Sequence, residues 1–380
     1  MTDTIARTAG VILAAGLSLS AQGKTFTDEI RVSPGQALEL RLDTRADVTI
    51  TGSDDAWVRV QAIPGDQGAS DGVVTTRPTS RGVQIVSKGA GETRFLTGNP
   101  ARLTIVVPRR FDVHITSMVG NLRVENVEGQ IDGETKGGNL TLTGLSGGLN
   151  LTTRGGDIHV SNSRLDGKVV TMGGSVTLED VAGHVNSVSM GGSVVSRTAR
   201  RNGGAAPGPP GELRITTTGG AIDVAEAMAG AIVTTTGGAI HIQQAAGYVR
   251  ATTTGGEIRL DSVDGWIEAT TPGGGVIATM VGDPDRGDRH VRLVSVGGDI
   301  TLTVPESLGM RFDITLAYTR NSRQNYEIHS DFPLQIRRTD WEYATGDRRR
   351  HIYGTGTAGN ARHLVHIETV NGDVTVRKAP

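Results

Sequence analysis

The chain has no cysteine, and of its 380 residues only five Phe, three Trp and five Tyr are aromatic. The first absence excludes a disulfide framework, thiolate metal ligands and a cysteine nucleophile, and it leaves the redox compartment open. The second argues against an ordinary compact globule, whose core wants more large apolar side chains than this. Charge of one sign is also lacking: 38 Lys and Arg face 40 Asp and Glu, a net charge of −2. No global field therefore draws the chain to nucleic acid or to an anionic membrane, and no nucleic-acid partner is expected. Long apolar runs are missing except near the start, where Ala9–Leu19 follows Arg7 and precedes Ser18-Leu19-Ser20-Ala21-Gln22-Gly23. At about 11 residues this run is too short to span a bilayer that needs roughly 20. It has the form of a secretory signal over residues 1–23. A buried N-terminal helix is the alternative, but nothing else in the chain is helical enough to receive it. No Cys follows to carry a lipid anchor. The expected mature protein is exported, periplasmic or extracellular, without a transmembrane span.

What is abundant is glycine, 54 residues, about twice the usual share of roughly 7%. The glycines are periodic. Ile215-Thr216-Thr217-Thr218-Gly219-Gly220-Ala221-Ile222 returns as Val233-Thr234-Thr235-Thr236-Gly237-Gly238-Ala239-Ile240 and as Ala251-Thr252-Thr253-Thr254-Gly255-Gly256-Glu257-Ile258, then decays to Ala269-Thr270-Thr271-Pro272-Gly273-Gly274. The pairs at 219, 237, 255 and 273 have a period of 18, as do those at 137, 155, 173 and 191. Each unit divides into two short strands and two turns, the second turn carrying Gly129, Gly147, Gly183, Gly247 or Gly265.

Side chains alternate between the two sides of a strand. Leu213, Ile215 and Thr217, with their successors Ala231, Val233, Thr235, then Val249, Ala251, Thr253, then Ile267, Ala269, Thr271, make one inner row. Ile222/Val224, Ile240/Ile242 and Ile258/Leu260 make a second. A meander of hairpins also gives regular spacing, but hairpins favour tight Asn-Gly turns and do not need the same residue type at matched positions of every unit. Stacked coils do, because each residue sits on its equivalent about 4.8 Å away. The expected fold is all-β: a right-handed or two-sided β-solenoid of about ten coils, each of about 18 residues with a Gly-Gly turn.

The segments follow. Residues 24–112 alternate as short strands such as Leu38-Glu39-Leu40-Arg41-Leu42, Val48-Thr49-Ile50 and Leu103-Thr104-Ile105-Val106-Val107, with a loop expected at Asp66–Gly72. The solenoid occupies 113–304, with insertions at 197–211 and 282–290 that stretch the Gly-Gly spacing to 28 and 24. Residues 305–362 read as a hairpin-like insertion, and 363–380 as a closing coil that caps the stack.

Gly156-Asp157-Ile158-His159-Val160, Gly298-Asp299-Ile300-Thr301-Leu302 and Gly372-Asp373-Val374-Thr375-Val376, with Leu103–Pro108 ahead of them, carry a resemblance. Over roughly residues 26–378 the chain resembles the bacterial putative-adhesin family of β-strand-repeat domains of unknown function. The resemblance implies an exported or envelope-associated β-solenoid and brings no catalytic residues. The basic Pro/Gly-rich loop at 197–211 departs from the family pattern.

Candidate chemistry is weighed against plain stacking. Thr216, Thr218, Thr234, Thr236, Thr252 and Thr254 form an outward grid of the kind that binds ice or a crystalline polysaccharide, yet Thr is also a strong strand former that stacks well. Asp223, His241 and Arg259 stand in an outward column. They suit general acid/base work with an anion clamp, or a solvated charge ladder, and no concave pocket or row of aromatics for a sugar is evident. Asp283, Asp285 and Asp288 are the candidates for a calcium ion, although their spacing fails the known loop patterns. Arg286-Gly287-Asp288 matches the integrin tripeptide and reads as an exposed turn. Arg197, Arg200 and Arg201, and separately Arg348, Arg349 and Arg350, are the basic clusters able to meet an acidic polymer or partner. No cofactor is expected. The expected function is a non-catalytic, adhesin-like binding or structural protein of the cell envelope, its partner an unknown envelope polymer or protein. A polysaccharide-active enzyme on the same scaffold and an accessory to envelope signalling are the alternatives.

Overall fold

A computed structural model describes residues 25–33, 35–65, 73–88, 100–197, 211–283, 285–322, 325–344 and 347–379. The expected signal at 1–23 and the loop at Asp66–Gly72 lie outside the described residues. Every regular element described is a β-strand. Among these residues no helix is long and apolar enough to cross a membrane.

Each coil places one strand before its Gly-Gly turn and one after it, and the two belong to different faces. On the first face Ile215 pairs with Val233, Val233 with Ala251, Ala251 with Ala269 and Ala269 with Leu293, all in parallel register. On the second face Ile222, Ile240, Ile258, Val276 and Ile300 follow one another in the same way. The two rows of small aliphatics meet between the faces and are buried. Burying one such Val or Ile is worth about 1.5–3 kcal/mol, and each coil contacts only its neighbours, so stability accumulates coil by coil.

The Gly-Gly corner is closed by a hydroxyl. Thr253 is fully buried, and its Oγ1 donates to the carbonyl of Gly238 in the preceding coil at 2.8 Å while accepting the N–H of Gly256 in its own turn at 3.3 Å. The same pair of bonds is made by Thr171, Ser189, Thr217, Thr235, Thr271 and Ser295. Buried turn groups that the ladders leave over are thus satisfied. The second glycine of the pair is fixed by close approach: a Cβ on Gly156 would lie 2.0 Å from the Gly138 carbonyl oxygen, whereas on Gly155 it would meet nothing nearer than 3.9 Å.

The other corner keeps the expected break in some coils, as between Val176–Ala182 and Val185–Ser189 and between Ile222–Ala227 and Ala231–Thr234, but not in all. Ile158–Thr171, Ile240–Thr252 and Ile258–Thr271 run through it as continuous strands. The chain bends there at residues such as Gly167, whose φ of 146 accompanies a neighbour so close that a Cβ would lie 1.9 Å from the Leu149 carbonyl oxygen. Pairing with adjacent coils is kept through the bend, so no free turn is needed.

Both ends of the stack are built in one way. Ala37–Ser53, expected as two short strands, is one long strand that serves both faces, its first half beside Asp112–Val119 and its second beside Leu122–Glu125. Outside it lie Gly82–Lys88 and Ala101–Pro108. Antiparallel Val73–Thr79, Trp57–Ile63 and Phe26–Arg31 then cover that end. At the other end His363–Val370 sits between Val291–Ser295 and Met310–Thr319, and Val374–Ala379 between Ile300–Pro305 and Ile328–Ser330. The coil at 363–379 therefore lies inside the stack and does not cap it. The cap is the excursion at 305–362, where Asp347–Ala358 runs antiparallel on Met310–Thr319. The reason is bulk: the excursion supplies rings that fill an open end, Phe312 against Phe332 at 5.1 Å and Tyr318 against Trp341 at 5.5 Å. The coil at 363–379 has the plain repeat pattern that fits a neighbour on each side.

Thr253→Val should strand the Gly238 carbonyl and the Gly256 N–H and cost about 2–4 kcal/mol, read as a lowered urea midpoint; Thr253→Ser should keep most of the stability, and equal tolerance of both would contradict the role given to the hydroxyl. In the same assay Gly156→Ala should destabilise strongly and Gly155→Ala little.

Candidate functional site

The outward side of the first face carries the features that the repeat does not explain. Thr216, Thr234 and Thr252 are in register, and Thr270 extends their column. Thr218, Thr236 and Thr254 stand exposed beside the turns. Next to them runs a row of aromatics that the sequence reading missed. Tyr248 stacks on Trp266 at 4.8 Å and 10°, and Trp266 on His290 at 5.1 Å and 12°. Tyr248 covers Gly230, where a Cβ would collide with the ring, and its hydroxyl donates to Glu212. Arg250 lies over Trp266 at 5.7 Å and pairs with Glu268 at 2.9 Å. Tyr248 and Trp266 are 18 residues apart, so the period itself held this signal; the insertion at 282–290 displaced His290 from it.

Toward the C-terminal cap this strip opens into a cleft of about 770 Å³. Register places Leu364 beside Arg311, Arg311 beside Thr357 and Gln335 beside Thr355, and all five line the cleft. Arg311 is exposed and has no ion pair among the described residues, whereas Asp313, also in the wall, is held by His366 at 3.2 Å. Two residues from Gln335 on the same strand, Arg337 lies over the Tyr353 ring at 4.8 Å. A guanidinium stacked on a ring keeps its N–H edge free for a carboxylate. None of these residues was a sequence candidate, because antiparallel pairing within the cap brings them together and no repeat announces it.

The sequence candidates fall elsewhere. Arg348 lies over Tyr343 at 5.8 Å, while Arg350 donates to the Thr339 carbonyl at 2.9 Å and so braces the cap. Arg349 follows on the same strand, opposite Thr319 and Glu342. Arg197 is exposed at the end of Val194–Arg197, and Arg200 and Arg201 lie outside the described residues.

Two of the three aspartates of the 282–290 insertion are directed to separate partners, Asp283 to Arg286 at 3.3 Å and Asp288 to His290 at 2.8 Å, while the Asp285 N–H donates to Asp283. Among the described residues no group of three or more His, Asp or Glu is placed to hold a metal ion. The insertion is instead anchored by Arg289, 3% exposed, which donates to Asp264 at 2.5 Å and to the carbonyls of Val281 and Arg286. Both charges of Arg286-Gly287-Asp288 are therefore engaged within the loop.

On the second face Asp223, His241 and Arg259 are in register as expected. A fourth member, Asp261, organises them: it accepts from Arg259 at 2.7 Å and sits 2.8 Å from His241 Nε2, while Asp223 is 3.3 Å from Nδ1. Burial works to raise the Asp261 carboxyl, but the hydrogen bonds and charges of His241 and Arg259 outweigh it and hold it below the ordinary carboxylate value. A depressed folded value means that the ionised carboxylate stabilises the fold above its unfolded value, and that this contribution disappears as pH falls through the folded one. The thermal midpoint of the native chain should therefore exceed that of Asp261→Asn at neutral pH, with the gap closing in acid; a gap unchanged between pH 7 and pH 3 would contradict the assignment.

Comparison with solved structures finds matches of low identity and low TM-score. A putative cell adhesion protein from Clostridium sporogenes is 7% identical over 94% of this chain and 100% of its own, with a TM-score of 0.20. A putative adhesin from Parabacteroides distasonis is 17% identical over 72% of this chain and 98% of its own, at 0.38. A putative lipid binding protein from the same organism is 12% identical over 72% and 98%, at 0.29. No curated protein matches the chain. The sequence model of one family does match, over residues 36–377, and on that match the chain belongs to the Toastrack family, DUF4097.

Proposed function

We propose that this chain is an exported, non-catalytic, adhesin-like binding protein that holds an acidic polymer of the cell envelope against its first face. The observation that carries the reading is the cleft in the C-terminal cap, where unpaired Arg311 stands beside hydroxyls and an amide from Thr355, Thr357 and Gln335, with ring-stacked Arg337 just outside the lining, two residues along the strand from Gln335. Two guanidiniums with free edges suit carboxylates, and the apolar side of Leu364 suits a sugar ring. The aromatic strip at Tyr248, Trp266 and His290 continues the track, offering ring edges because the ring faces are spent on one another.

The enzyme alternative is disfavoured by the carboxylates. Glycoside hydrolysis usually takes two, flanking the scissile bond, and in this cleft Asp313 stands without a second carboxylate and is tied to His366. The Asp223–His241–Asp261 column stands on a flat strand surface with its groups turned to one another. Export is supported by the form of residues 1–23.

Affinity electrophoresis through gels containing a uronic-acid polysaccharide should retard the native chain, and Arg311→Ala with Arg337→Ala should weaken that retardation by about tenfold or more. The polymer's reducing-end content should stay constant over long incubation. A migration unaffected by the gel polymer, or release of new reducing ends, would sink the reading.

A further inference from the structure

The first face has a second cleft at its opposite end. It measures about 540 Å³ and is lined by Glu39, Arg41, Ser80, Arg81, His114 and Thr116, among others. Ala37–Ser53 and Asp112–Val119 bring Glu39 beside His114 and Arg41 beside Thr116, and Arg81 comes from the turn before Gly82–Lys88. Arg41 and Arg81 are exposed and have no ion pair among the described residues. His114 is paired with Asp132 at 3.4 Å. This end thus repeats the chemistry of the cap cleft, free guanidiniums beside hydroxyls, on the same side of the molecule.

The surface between the two clefts is not neutral to an anion. Several of its charges cancel locally, as in Arg154 with Glu134, Arg214 with Glu212 and Arg250 with Glu268. Lys136, Lys168 and Arg292 have no ion pair among the described residues and lie on the way, against Asp112 and Glu368 of opposite sign. From Ala37–Ser53 to Met310–Thr319 the face advances by twelve parallel strand-to-strand steps. At about 4.8 Å per step the clefts are about 58 Å apart.

Resting on the function proposed above, we infer that the cleft at Arg41 and Arg81 is a second subsite for the same ligand, and that the ligand is a linear uronic-acid polysaccharide long enough to occupy both. Glu39 decides the class. A polyphosphate would set a charge against that carboxylate at every unit, whereas a uronate chain offers carboxylates to the arginines and ring hydroxyls to Glu39, Ser80 and Thr116. Two weak sites on one rigid body turn the second binding event into an intramolecular one, so chain length controls affinity.

The test uses the full chain and size-fractionated homogalacturonan, with its methyl ester as the neutral control, in titration calorimetry. Fragments too short to bridge the clefts should bind weakly, and chains longer than about 58 Å should bind tighter by on the order of 100-fold. Arg41→Ala with Arg81→Ala should return long chains to the short-fragment affinity, and so should Arg311→Ala with Arg337→Ala, with thermal midpoints unchanged because all four side chains are exposed. Equal affinity for short and long chains, or long-chain affinity indifferent to the Arg41/Arg81 pair, would overturn the second subsite and leave the cap reading standing. Failure of fragments of every length to bind, or methyl ester binding as well as the acid, would overturn both.

Discussion

A single hydroxyl, buried at the Gly-Gly corner and bonded to two coils at once, is what the stack depends on. At Thr253 it joins Gly238 of the coil before to Gly256 of its own turn. The arrangement survives each interruption of the period: Thr217 reaches Gly192 across the insertion that follows Arg197, Ser295 reaches Gly274 across the one at 282–290, and Thr369 reaches Gly298 across the whole excursion at 305–362. Sequence distance changes while the bond does not. Ser and Thr serve equally because only the oxygen is needed, and the second Gly is required because the carbonyl it faces leaves no room for a Cβ.

This constraint determines where variation is permitted. Inward positions must stay small and aliphatic to keep the rungs at strand spacing, and the corners must keep hydroxyl and glycine. Outward positions and the outer ends are free. The unpaired arginines proposed to bind the ligand stand at the two ends of the first face, in clefts shaped by antiparallel strands foreign to the repeat. Those strands also blunt the open ladder edges that would otherwise template association with another chain.

The repeating part of the fold was legible because period and alternation are local. Buried Thr217, Thr235, Thr253 and Thr271, and the column Asp223–His241–Arg259, stand where counting by 18 puts them. The ends were not legible, since the position of 363–379 inside the stack depends on which neighbours its two edges find, and that is a matter of long-range pairing. The cleft residues Arg311, Gln335 and Thr357 were hidden for the same reason. Arg289 is a different case: a basic residue in a polar insertion reads as solvated, and only the folded loop shows it buried among carbonyls. Tyr248 and Trp266 share the period of 18, but two rings alone do not announce a row, and His290 joins them only once the insertion before it is folded.

The intercalated coil also sets an order of events. A chain emerging from its amino end can stack coils up to Ile300–Pro305 as they appear, but the excursion at 305–362 has no ladder to join until 363–379 has slid beneath it. The growing edge stays open until residues 363–379 are in place, because they are the wedge on which the lid closes. Without 363–379 the parallel edges of Val291–Ser295 and Ile300–Pro305 would stand unpaired, the kind of edge that templates association with another chain, so this one coil guards the stack from aggregation as well as joining it to its cap.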